Sequence, residues 1–423
     1  MALRTAKFSN GWWGVTSKNS ETSALLSASA VREKAQRIFA LAKADGLAHF
    51  RLDLARLPAV AAIVAEVTRQ AYPTLDVPFH ARWRHFTHAG RDRWAELDAA
   101  TPWASPAERV RAAFDLVIVS VLLDAGAGAA WRYVDPLNGI AIGRSEGLAL
   151  ASFDMWAAGA FSDDPANPLR ADAARLASLT VETLAEGFQV GPANPLDGLE
   201  GRVSLLNVLG RALLADSAMP DAGGHARPGA LFDVLVKGRS TLPASEILAA
   251  VLRHFGPIWP SRLSLHGVPL GDTWRHPLLE DGSATGALVP FHKLSQWLSY
   301  SLIEPLQAAG ITVSAIDGLT GLAEYRNGGL FLDGGVIVPK DAAILAAEHK
   351  PDSTVIIEWR ALTVALLDGI APLVRAALGV AETDFPLARV LEGGTWATGR
   401  RLARERRADG SPPLRIVSDG TVF

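Results

Sequence analysis

"STVIIEWRALTVALLDGIAPLV", residues 353 to 374, decides the fold class. At 100° per residue, Val355, Ile356, Ile357, Trp359, Leu362, Val364, Leu366 and Leu367 cover almost the whole circumference. A helix that is apolar all round belongs in a core. Two charges interrupt it. Glu358 and Arg360 would lie at or near the interior, where an unpaired charge is very costly. Two positions apart on a helix, they do not face each other, so each needs its own partner from elsewhere in the chain. Either they join a buried ion-pair network, or one of them faces a polar ligand pocket.

Helical spacing recurs on both sides of this stretch. "SASAVREKAQRIFALAKADGL" runs to a stop at Gly46, and further segments fall near 58–71, 106–123, 145–160, 171–187, 200–215, 244–254, 291–309, 341–348 and 395–408. Strand-like pieces are short: 139–144, 330–338 and 414–423. The expected fold is mainly α with a few short β-strands. Residues 1–24 read as an N-terminal arm and 25–423 as one large, mainly helical catalytic domain, with "AMPDAGGHARPGA" at 218–230 as a candidate sub-boundary.

Composition narrows the function classes. The 423 residues are 49% hydrophobic and 20% charged, a globular profile. A net charge of -3 argues against a nucleic-acid partner, which calls for a basic surplus. The densest basic patch, "RRLARERR" at 400–407, reads as a solvated helix end. The chain has no cysteine, so thiol catalysis, disulfides and thiolate metal sites are excluded, and a cytoplasmic location is expected. The N-terminus has no apolar core of signal-peptide length, and the apolar run from Phe114 is broken by Asp115 and Asp124. No membrane partner is expected.

Four further stretches carry chemistry. In "PFHKLSQWLSYSLIEPL" (290–306), Pro290 suits a helix start, and Lys293, Gln296, Trp297, Tyr300 and Glu304 share one sector. That stripe is either a solvated face or the lining of a pocket, with His292 beside it. In residues 122–156, Asp124 ends an apolar helix, and "GRSEGLALASF" brings Arg144, Ser145 and Glu146 to a helix start. They form a convergent polar site, although capping alone accounts for Ser145 and Glu146. No dinucleotide or Walker fingerprint occurs there. "VPFHARWRHF" spaces His80 and His85 five apart with Arg82 and Arg84 between, which is not a metal motif; it suits phosphate or an ion-pair site. Finally, "GLTGLAEYRNGGLFLDGG" (318–335) reads as a glycine-rich loop that holds Glu324, Tyr325, Arg326 and Asn327 in place.

Taken in order, "VPFHARWRHF", "LLDAGAGAAWRY", "GRSEGLALASFDMW", "IWPSRLSLHGVPLGDTW", "PFHKLSQWLSYSLIEP", "LTGLAEYRNGGLF", "EWRALTVALLD" and "LEGGTWATGR" resemble the uracil-catabolism family of bacteria and fungi, from about Leu25 to Phe423. The blocks around 122–152, 319–337 and 355–370 are also similar to the queuosine-salvage nucleotide N-glycosylases, which are helical and resemble helix-hairpin-helix glycosylases. That second resemblance sets Glu324 where those proteins carry their key aspartate, matches Tyr325 and Arg326 directly, and aligns Glu358 and Arg360 with their third block. "NGG" at 327–329 departs from the corresponding run, which implies a different substrate.

Together the resemblances imply a pyrimidine-catabolism N-ribosyl hydrolase acting on a ribosylated, ring-opened fragment such as a ribosylurea phosphate. Glu324, Glu358 and Asp124 are its candidate catalytic carboxylates. Tyr325, Arg326, Asn327, Arg360, Arg144, Ser145, Glu146, Trp131, His292, Lys293, Gln296, Trp297 and Tyr300 are candidates for binding, with Trp131, Trp297 and Tyr325 able to stack on a planar group. No cofactor and no metal are expected. The alternatives are a metal-dependent amidohydrolase using His80, His85, His276 or His292, or a non-catalytic partner of another uracil-catabolism enzyme.

Overall fold

In a computed structural model, the structure describes residues 21–124, 126–128, 130–220, 223–259 and 263–417. Most of the expected N-terminal arm and residues 418–423 of the expected terminal strand lie outside them. Ten helices of nine residues or more carry the described fold: α1 (Ala28–Lys43), α2 (Leu57–Ala71), α3 (Pro106–Leu122), α4 (Arg144–Ala157), α5 (Leu199–Ala215), α6 (Ala244–His254), α7 (Lys293–Ala308), α8 (Tyr325–Asp333), α9 (Thr354–Leu378) and α10 (Trp396–Arg406). Every described sheet has only two strands. The protein is mainly α.

The opening stretch is α9. Ser353 caps it by accepting from the Ile356 N–H, and Gly379 ends it at a φ of +75°. It is long and apolar enough to cross a bilayer, yet it packs against α1, α2 and α8 with its apolar side chains buried. α3 is the second buried axis. Ser105 caps it and Pro106 opens it, Asp115 is wholly buried within it, and α4, α5 and α7 pack around it. One contiguous apolar core runs from Ala28 to Leu414.

Three local expectations need correction. Residues 330–338 are not one strand: α8 continues to Asp333, and only Ile337–Pro339 is extended, paired antiparallel with Phe50–Leu52. The 139–144 segment yields a strand only at Ala141–Ile142. Pro290 does not open a helix. It ends a strand (Leu288–Pro290), and α7 starts at Lys293 after His292 takes a left-handed φ of +47°. In the 218–230 stretch, the buried guanidinium of Arg227 pairs with Asp115, and Pro228–Ala230 packs on α3.

Candidate active site

Within the expected loop at 318–335, residues Tyr325–Asp333 form a capped helix. Glu324 is the N-cap of α8, and its carboxylate accepts from the Arg326 N–H at 2.6 Å and the Asn327 N–H at 2.5 Å. It is only 7% exposed. Burial pushes the carboxyl above its usual range, while those two N–H groups and the ammonium of Lys293 pull it partly back. The result is a buried carboxylate more basic than a free glutamate.

The segment before Glu324 is held rigidly. Gln296 accepts from the Thr320 N–H at 2.8 Å and donates to the Thr320 hydroxyl at 2.5 Å. Tyr300 donates to the Thr320 carbonyl at 3.0 Å. Arg360 donates to the Ala323 carbonyl at 3.2 Å and makes a two-point pair with Asp272, both contacts at 2.7 Å. Asp272 in turn accepts from the Lys293 N–H at 3.1 Å. Burial opposes the Asp272 charge, but Arg360 outweighs it and holds the carboxyl down at about 2. Arg360 therefore fixes both the residue before Glu324 and the start of the helix that carries Lys293.

Around Trp297 the charged groups gather. Its ring centre lies 5.7 Å from the Arg82 guanidinium, 5.9 Å from the Lys293 ammonium, 6.1 Å from the His85 ring and 6.4 Å from the His80 ring. Burial holds the Lys293 ammonium below its usual range, while the charges of Glu324 and Asp124 act to restore it, so all three lie in one neighbourhood. Arg82 is fully buried and donates to Asp124 at 2.8 Å, to the Ser145 hydroxyl at 3.1 Å and to Ser120 at 2.7 Å. Its second terminal nitrogen has no hydrogen-bond partner. Ser145 does not cap its helix; it donates to Asp124 at 2.6 Å, and Gly143 holds the cap position.

His85 is kept neutral. Burial and then the Arg82 charge drive its pKa down to about 4. Arg82 can only donate, and it meets the His85 Nδ1 at 3.4 Å, so Nδ1 is the bare nitrogen and Nε2 carries the proton.

Arg144 is exposed with a left-handed φ of +58°, a strained setting for a side-chain-bearing residue. Its charge acts on Tyr325 and Arg326, as does that of Glu324. Arg326 packs over the Tyr325 ring, 5.0 Å from its centre, and donates to the Gly410 carbonyl at 3.0 Å. Its Nε has no partner, nor has the Oδ1 of fully buried Asn327. Glu146 pairs with Arg400 at 3.3 Å.

Other candidates sit elsewhere. Trp131 stacks on Phe188 and gives its indole N–H to the Phe188 carbonyl at 2.9 Å, which makes it core. Glu358 accepts from the His49 N–H at 3.2 Å and lies 3.4 Å from His276; no described contact links it to Glu324. His292 is buried, with Nε2 on the Leu25 carbonyl at 3.1 Å. Among the described residues no group of three His, Asp or Glu side chains has a metal-binding arrangement. A cavity of about 200 Å³ opens where Trp83, Arg84, Trp94, Arg109 and Glu304 meet. Its arginines pair with Glu304 and Asp98, and the Nε of Arg84 has no hydrogen-bond partner.

Sequence reading missed Asp272 and Glu392 as site residues and gave Arg82 no defined partner. All three stand in the quoted motifs, but a motif does not say which distant side chain will meet it.

A family model described as protein of unknown function (DUF1688) matches residues 24–423. Protein urg3 of Schizosaccharomyces pombe is 40% identical over 411 residues, covering 94% of this chain and 98% of that protein. Uracil catabolism protein 4 of Lachancea kluyveri is 37% identical over 435 residues, again covering 94% and 98%. Matched over nearly its whole length by both the model and these relatives, the chain belongs to the DUF1688 family.

Proposed function

We propose that this protein acts in uracil catabolism as an N-ribosyl hydrolase, with a ribosylated, ring-opened fragment such as N-ribosylurea 5-phosphate as substrate. The pathway rests on the relatives, one of which is named for uracil catabolism. The reaction rests on one observation above all: a buried carboxylate, Glu324, made more basic by its surroundings and set on a helix N-terminus among cations.

Cleaving an N-ribosyl bond builds positive charge at the ribose C1, as O-glycoside cleavage does. Glu324 stabilises that charge and takes the proton of the attacking water. Arg326, Arg144 and Arg400 supply positive charge for a phosphate. The unpartnered nitrogen of Arg82 would donate to a substrate oxygen, since a buried guanidinium N–H left empty is costly. Trp297 and Tyr325 offer faces for the planar fragment. Asp124 holds Arg82 and Ser145 and is a positioning residue here, as are Arg360, Gln296 and Tyr300.

Purified protein should release ribose 5-phosphate from synthetic N-ribosylurea 5-phosphate. Glu324→Gln, which is isosteric and keeps one of the two cap acceptors, should lose roughly 100-fold or more in kcat/KM. Equal turnover by the two proteins would remove Glu324 from the mechanism; no turnover by either would remove the activity itself.

A further inference from the structure

Hydrolysing such a bond needs two proton transfers, and Glu324 accounts for one. The leaving nitrogen of a urea is a poor anion and must receive a proton as the bond breaks. We propose that His80, gripped by Glu392, is the acid that delivers it. The inference rests on the hydrolase reading above.

His80 Nδ1 lies 2.7 Å from the Glu392 Oε2, and the Tyr72 hydroxyl reaches the other Glu392 oxygen at 3.4 Å. The side chains of His80 and Glu392 are only 12% and 17% exposed. A carboxylate that accepts from Nδ1–H fixes the ring's orientation and tautomer and stabilises the imidazolium. It also leaves Nε2 as the nitrogen available to a ligand, and Nε2 makes no hydrogen bond among the described residues. The reciprocal effect is visible on Glu392. Burial acts to raise its pKa, but the hydrogen bond and charge of His80 prevail and hold it below the usual range.

The backbone around the pair is unusual. Glu392 sits in a π-helical turn, Leu391–Thr395, and such turns often mark functional sites because the extra residue redirects side chains. Gly393 and Gly394 press this turn onto α2: an added Cβ would meet Thr68 at 2.9 Å and 2.5 Å respectively. The His80 N–H donates to the Ala388 carbonyl at 3.0 Å, in the helix that leads into the same turn. The pair is thus tethered twice, by side chain and by backbone. On its other side, the charge of His80 acts on Glu324, and its ring borders Trp297.

The bond from ribose C1 to the urea nitrogen breaks with its electron pair passing to nitrogen. The His80 Nε2–H proton joins that nitrogen, water oxygen bonds to C1, and the water proton passes to Glu324. Urea and ribose 5-phosphate leave, and solvent returns the proton from Glu324 to His80.

The test compares two substrates with different needs for an acid. N-ribosylurea 5-phosphate has a leaving group that must be protonated; 4-nitrophenyl riboside 5-phosphate has one that departs as the anion. His80→Gln should lose about 100-fold or more in kcat/KM on the urea substrate and stay within about tenfold of wild type on the nitrophenyl one. Glu392→Gln, checked for folding by circular dichroism, should show the same selectivity with a loss of roughly 10- to 100-fold. Glu324→Gln should fail on both. If the histidine variant loses equally on both substrates, or loses nothing on the urea, the proton-donor role is overturned and the hydrolase reading stands. If wild type cleaves neither compound, both fall together.

Discussion

Glu324 lies between two opposed influences, and their balance can be moved by a single side chain. Burial raises its pKa, and the Lys293 ammonium lowers it. A base must be deprotonated to act, so kcat/KM should fall as pH drops through that pKa. Lys293→Met removes the lowering charge, so the acid limb should move to higher pH. Lys293→Arg keeps the charge and should leave the limb near wild type. A limb that does not move in the methionine variant would show that Lys293 does not tune the base. At this scale the sequence was partly legible. Glu324, Arg326 and Lys293 stood out as charges among apolar or glycine neighbours, and the structure brings them together. Trp131 and Trp297 read alike in the sequence because an indole packs equally well in a core and beside charged groups; the structure stacks Trp131 on Phe188 and sets Trp297 near the Lys293 ammonium.

α8 shows why one element was misread. Its sequence, "YRNGGLFLD", carries two adjacent glycines, which cost helix propensity and suggest a loop. Tertiary contacts override that cost. Gly328 faces Trp359, whose indole N–H donates to the Gly328 carbonyl at 3.0 Å, and a Cβ there would meet the indole at 2.6 Å. Across the next interface, a Cβ on Gly399 would meet the Arg326 carbonyl at 2.1 Å. Gly328 lets α9, and Gly399 lets α10, close around the helix that carries the site. Gly328→Ala should therefore destabilise the protein by about 1–3 kcal/mol through overpacking. Gly256→Ala, where nothing lies within 4 Å of the added carbon, should be nearly neutral in the same thermal melts. Equal melting temperatures for the two variants would contradict this packing. The long buried helices were legible because their apolar period is strong; α8 was not, because its reason to be a helix lies in Trp359, 31 positions from Gly328.

On the scale of the whole molecule, the site exists only because distant segments are tied together, and no local pattern announces such ties. Arg360 on α9 reaches Asp272, 88 positions earlier, and through it the start of α7. This makes the tie a measurable part of acid stability. The Asp272 carboxyl is lowered from 3.8 to about 2 in the folded protein. A lowered carboxyl contributes stability that is present above its unfolded pKa and lost as pH falls through the folded one. The window is therefore pH 4 to 2, and the amount is roughly 2 kcal/mol. Asp272→Asn leaves a buried guanidinium without its counter-charge and should cost about 3–5 kcal/mol at neutral pH. Protonated Asp272 is also neutral, so wild type approaches the variant as it acidifies. In urea unfolding at pH 7, 4, 3 and 2.5, the stability gap between them should stay constant down to pH 4 and narrow below it. A gap that stays flat to pH 2.5 would mean that Asp272 keeps no depressed pKa. In that case Arg360 would be anchored chiefly by the Ala323 carbonyl and by Phe291, whose ring centre it covers at 4.1 Å.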